Sequence, residues 1–178
     1  MTGRFHARAS HLLAEARREV SEDLKALHAR KSAEGILRSG NTARQGIEHL
    51  QQRSSERLRQ ALAEVGVAIE HRGRDWRAAL LEVRSALDDH VAQAPAVLER
   101  TFVLAGIEPG AAQAAANKLL SAVAENLRAQ INEFEEGWTS PVPKRWNERF
   151  PVTYALLLLV AGSAIGFVAA RLEHAIPW

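Results

Sequence analysis

The sequence predicts an all-α fold, a long cytosolic helical hairpin or bundle followed by a single C-terminal transmembrane helix. Three observations carry that prediction. Apolar side chains recur at steps of three and four through residues 4–136, no segment alternates with period two for long enough to make a strand, and residues 150–170 hold 21 positions without a charge. The organisation that follows is a helical domain over 1–137, a juxtamembrane linker over 138–149, a membrane helix over 150–171 and a short far-side tail over 172–178.

The first helix is expected over residues 4–38, because Phe5, Ala9, Leu12, Ala16, Val20, Leu24 and Leu27 share one face. Ser39-Gly40-Asn41-Thr42 then reads as a helix–turn–helix joint, with a C-terminal glycine and a Thr or Asn cap for the next helix. That joint predicts an antiparallel seam in which Leu13, Val20 and Leu24 meet part of the Leu50–Ile69 stripe.

A second helix is expected from Thr42 toward Gln93. Its stripe runs through Ile47, Leu50, Leu58, Leu62, Val65, Ile69, Trp76, Leu80, Val83, Leu87 and Val91. Counting Arg72 as a filled step, the repeat from Leu58 to Leu98 is roughly 3.6 residues, which argues against a pronounced left-handed supercoil. Gly66 and Gly73 interrupt it. They allow either close approach by a partner helix or a kink at Arg72-Gly73-Arg74, with Asp75 capping the new start. A continuous 42–93 helix would measure roughly 78 Å against roughly 52 Å for the first. The overhang at Leu80–Val91 would then need cover from a later helix and from a second subunit.

Pro95 ends that helix or opens a short one through Ala105, and Glu108-Pro109-Gly110 is a turn. The last cytosolic helix, Ala111–Glu136, places Ala112, Ala116, Leu119, Val123, Leu127, Ile131 and Phe134 on one face.

At 1.5 Å per residue the uncharged run reaches roughly 32 Å, enough for a hydrocarbon core of about 30 Å. Pro151 suits its first turn. Trp146, Arg149, Tyr154, Arg171 and Trp178 are the expected interface anchors. Lys144, Arg145 and Arg149 precede the run and Arg171 follows it, so the N-terminal part is expected in the cytoplasm, at a bacterial inner membrane. Arginines and glutamates in place of an apolar h-region at the start argue against a secretory signal. Within the span, Ala155, Gly162, Gly166 and Ala169 form a small-residue face around a GxxxG, which suits helix–helix packing.

Chemistry is sparse. The chain has no cysteine, which excludes disulfides, thiolate zinc sites and thiol catalysis. His11 with Glu15 and His71 with Asp75 have ligand spacing but lack a third partner, and Asp88-Asp89-His90 on a helix points three ways. Phosphate loops, H-E-x-x-H and G-x-S-x-G are absent from the sequence. No enzyme, metal or cofactor is therefore expected.

The net charge is only +2, yet residues 1–84 carry 16 basic and 11 acidic side chains against 3 and 8 in residues 85–143. The halves could attract each other within or between chains. Arg4, Arg8, Arg17, Arg18, Arg53, Arg57, Arg72 and Arg74 are the candidate contacts to anions or nucleic acid. The leading expectation is a membrane-tethered scaffold that self-associates and holds an unidentified protein at the bilayer. The alternatives are a DNA-associated accessory factor of the plasmid transfer or segregation type, and a membrane-remodelling or pore-forming helical protein.

Overall fold

The computed structural model describes residues 3–107 and 110–139. Four helices run through them: α1 Arg4–Ala33, α2 Gly40–Ala68, α3 Arg74–Ala105 and α4 Ala111–Gly137. There is no strand among the described residues. The expected all-α class holds. No helix among the described residues is long and apolar enough to cross a membrane. The expected span at 150–171, its packing residues Ala155, Gly162, Gly166 and Ala169, and the anchors Trp146, Arg149, Tyr154, Arg171 and Trp178 lie outside the described residues.

Successive helices are antiparallel, joined by short connections. α2 and α3 form the central pair, with α1 in the groove on one side and α4 in the groove on the other. The register is legible in the cross-links. Arg8 meets Glu64 and Asp23 meets Arg53, which sets α1 antiparallel to α2. Arg17 meets His90 and His28 meets Thr101, which sets α1 parallel to α3. Asp88 meets Arg128, and Gln130 meets Ser55, fixing α4 against both central helices. The core is one cluster from Ala9 to Ile131.

The expected antiparallel packing of α1 on α2 is present, and Leu13, Val20 and Leu24 are all buried, Leu24 close to Gly46 of α2. Its turn differs in detail. α1 stops at Ala33, short of the expected residue 38. Gly35, at φ +72°, lets the amide of Ile36 donate to the Lys31 carbonyl at 3.0 Å and its own amide donate to Ser32 at 3.1 Å. This is the helix stop that a left-handed residue makes cheaply, and glycine adopts it without a Cβ penalty. Gly40 instead opens α2, and Ser39 is the cap, its Oγ accepting from the Thr42 amide at 3.3 Å.

The long second helix is replaced by two. α2 ends at Ala68 and α3 begins at Arg74, with residues 69–73 between them. Asp75 does not cap: Gly73 holds that position and Asp75 lies in the first turn, where its charge suits the helix dipole. The break folds Leu80, Val83 and Leu87 back onto α1 and α2, so the overhang that would have needed a second subunit does not arise. Of the two glycines, Gly66 is the site of close approach. A Cβ there would stand 2.9 Å from the Trp138 indole nitrogen, whereas Gly73 has open space.

Pro95 lies inside α3, where the expected end was. Proline forfeits the bond to the carbonyl four residues back and costs about 3 kcal/mol in a helix interior. Helix continuation past it is held by Leu98, Thr101 and Phe102, all buried. α3 stops at Gly106, φ +74°, with Ile107 donating to the Phe102 carbonyl at 2.9 Å. On α4 the expected stripe holds at Ala116, Val123, Leu127 and Ile131 and differs at one step: Leu119 is exposed, and Leu120 packs against the core.

Candidate functional site

Two polar constructions stand out in a bundle otherwise packed with leucine, alanine and valine. The first crosses its middle. The stripe of α2 skips from Leu50 to Leu58, and Ser54 fills the intervening step. On α3, His90 occupies the step between Leu87 and Ala94. Both are core positions, and both side chains are buried, Ser54 at 0% and His90 at 2% exposure. The His90 Nε2 lies 2.8 Å from the Ser54 Oγ, and its Nδ1 lies 2.9 Å from Nη1 of Arg17 on α1.

The chemistry of arginine fixes the protonation. A guanidinium has donors and no acceptor, so Nδ1 must accept. The neutral imidazole then carries its proton on Nε2 and donates it to Ser54. Burial, with the nearby Arg17 charge adding to it, drives His90 down to about 4, and the Leu13 backbone carbonyl opposes the shift. A serine nucleophile needs the opposite polarity, with the imidazole accepting from the hydroxyl. Ser54 and His90 are therefore wired as a structural relay rather than as a nucleophile and its base.

His90 and Ser54 also floor a cleft of about 560 Å³ between α3 and the first half of α4, walled by Val91, Pro95, Leu120 and Ala124. Arg17 lines a separate groove between α1 and α3. The relay thus joins two surface depressions through the core.

The second construction closes one end of the bundle. Trp138, just past α4, stacks on Trp76 with ring centroids 4.2 Å apart, and Phe134 adds a second face at 5.6 Å. The Trp138 indole N–H donates to the Gly66 carbonyl at 3.3 Å, one of the last four carbonyls of α2. Arg72, in the α2–α3 connection, points its Nη2 at the carbonyls of Glu135, Glu136 and Trp138, at 2.6–2.9 Å. A cation at a helix C-terminus is favourable. At the same end Glu82 of α3 accepts from the amides of Phe5 and His6 at 2.9 and 3.1 Å, supplying the cap that Gly3 cannot.

Four of the eight arginines read as anion contacts, Arg8, Arg18, Arg53 and Arg57, lie against carboxylates of α1 and α2. Arg8 forks onto Glu64 through two 2.8 Å bonds. Arg53 holds Asp23, and that bond keeps the Asp23 carboxyl below its usual range. Arg57 pairs with Glu19 and Glu15. Arg18 stands 3.8 Å from Glu15. Arg4 lies over the Phe5 ring at 4.9 Å. Arg72 is turned to α4, and Arg74 is exposed at the start of α3. Arg17 differs from the rest, with a neutral imidazole as its partner.

The charge asymmetry between the halves is spent mostly inside each half, α1 on α2 and α3 on α4. Among the described residues, pairs that cross it include Arg84 with Glu135 and His6 with Asp89. His11 does reach Glu15, at 3.8 Å. His71 falls in the connection before α3, so its helical spacing to Asp75 is lost. Asp88, Asp89 and His90 point three ways, to Arg128, to His6 and into the core. Among the described residues no three His, Asp or Glu side chains are grouped to hold a metal ion.

His90, Ser54 and Trp138 went unpredicted as site residues. The first two were visible as polar residues at apolar steps of their stripes. Trp138 had no such signal, since it falls just after the helix in a stretch rich in proline.

No family of known proteins, no curated protein and no solved structure matches this chain.

Proposed function

We propose that this chain is a non-enzymatic, membrane-tethered helical scaffold that self-associates and holds a partner protein at the bilayer, with the four-helix bundle in the cytoplasm. The observation that supports it is the clasp at the end of α4. Trp138 and Arg72 tie the point where the chain leaves the bundle to α2 and α3, and the 21-residue uncharged stretch begins eleven residues after Thr139. A bundle fixed at its exit and followed by a segment of membrane-spanning length is suited to holding something at a set place near a surface. Self-association rests on the GxxxG of Gly162 and Gly166, because the bundle covers its own α3.

The DNA-associated alternative loses support from the arginine pairing, since Arg8, Arg53 and Arg57 already neutralise carboxylates. The pore-forming alternative would have to open a core whose apolar faces are buried on one another.

Cysteine labelling of the full chain in intact cells tests the tether. A cysteine at Ser10 should resist an impermeant thiol reagent while one at His174 reacts. Recovery of the protein outside the membrane fraction would overturn the reading. Crosslinking in native membranes, read by mass spectrometry, should return a partner bridged to the bundle.

A further inference from the structure

Arg17 is the cation whose surroundings do not match the rest of the surface. It sits half-buried in the middle of α1, in a groove of about 400 Å³ between α1 and α3 that Arg18, Ser21, Gln93 and Val97 also line. Among the described residues no carboxylate pairs with it, and its one hydrogen bond runs from Nη1 to the neutral imidazole of His90. That leaves the Nε and Nη2 edge without a partner there. This edge is the one whose two parallel N–H groups match the two oxygens of a carboxylate or phosphate. Arg18, 3.8 Å from Glu15, adds a second positive charge at the groove.

Burying a cation is costly unless an opposite charge accompanies it. Arg8 and Arg57 are each raised by the carboxylate they hold, whereas burial alone acts on Arg17 and lowers it. The groove therefore holds a partly desolvated fork without its counter-charge, a feature of sites that receive an anion from outside.

We propose that the α1–α3 groove is an oxyanion-binding site, in which the free edge of Arg17 takes a carboxylate or phosphate group of a ligand in a bidentate grip. Arg18 adds charge at the rim, and the Gln93 amide, which gives one N–H to the Asp89 carbonyl, has a second beside it. No bond is made or broken. His90 reports occupancy, because it shares the guanidinium. An anion on Arg17 offsets the positive charge facing the ring and makes protonation of His90 easier. The other charged groups about His90 are Glu125 and Arg128 from α4 at the cleft, with Asp88 on Arg128. From α1, Arg17 faces it, and from α2 the neutral Ser54 does.

The test uses the full chain, ¹⁵N-labelled at histidine, in a non-ionic detergent without a phosphate head group. The His90 titration is followed by NMR in potassium chloride, in inorganic phosphate and in succinate at matched ionic strength, with His90→Gln identifying the resonance. The proposal expects the His90 midpoint to rise in phosphate or in succinate above its value in chloride. The salt that acts names the ligand chemistry. Arg17→Gln should raise the midpoint in chloride and abolish its dependence on the anion. Arg17→Lys, which keeps the charge without the fork, should weaken that dependence. If phosphate and succinate match chloride in the wild type, or if Arg17→Gln responds as the wild type does, the site is not there.

Discussion

His90 makes the stability of the bundle depend on pH below neutrality. In the unfolded chain its imidazole titrates near 6.5, and in the bundle it titrates near 4. The unfolded state therefore binds the proton more readily, and stability falls as pH is lowered. The contribution is fully present above about pH 6.5 and is lost progressively down to about pH 4. Each unit of difference is worth about 1.4 kcal/mol, so the full swing is on the order of 3 kcal/mol. Between pH 7 and 5 the expected loss is about 2 kcal/mol. Asp23 and Glu64 are held below their usual values by Arg53 and Arg8 and act only at lower pH.

The comparison variant is His90→Gln. Its amide oxygen can accept from Arg17 and its nitrogen donate to Ser54, without a titrating group. Urea unfolding of both proteins at pH 7 and pH 5, followed by circular dichroism, gives the double difference. The wild type should lose about 2 kcal/mol more than the variant across that interval. Equal losses would mean that His90 is not a buried neutral imidazole, and the protonation reasoning built on Arg17 would fall with it.

Leu24→Asp should cost several kcal/mol, because it places a charge without a partner in the α1–α2 seam; an unchanged urea midpoint would show that the seam is absent. Glu82→Ala removes the acceptor for the Phe5 and His6 amides and should cost about 1 kcal/mol, with faster hydrogen exchange confined to the first turn of α1. Trp138→Ala should cost about 1–2 kcal/mol from lost stacking on Trp76 and the lost bond to Gly66, and should expose the end of α4 to limited proteolysis. Identical cleavage patterns for wild type and variant would deny the clasp.

The class of fold and the apolar stripes of the helices were legible because helical periodicity survives wherever a face is buried. What stayed hidden follows from coincidences of register. Residues 69–73 carry the stripe of α2 into that of α3 almost in phase, with Arg72 at the filled step, so periodicity alone cannot separate a turn from a continuous helix. Gly35 stands just before the apolar pair Ile36 and Leu37 and lost its punctuation to Gly40. Pro95 reads as a breaker, but tertiary packing through Leu98 and Phe102 outweighs it. Of the candidate site residues, the arginines were read as contacts to anions or nucleic acid. The carboxylates that Arg8, Arg53 and Arg57 hold were not legible, because they lie 30 to 56 positions away.

The clasp also decides how the bundle answers a mechanical load. α4 runs parallel to α2, with side-chain links from Ser55 and Gln130 down to Gly66 and Trp138. A pull on the chain at Thr139, directed along the bundle axis away from that end, cannot peel α4 off one turn at a time. It must slide the whole helix past its neighbours, breaking many contacts at once. Such shear loading resists extraction far better than unzipping, and the indole and guanidinium at the exit are the first elements to bear it.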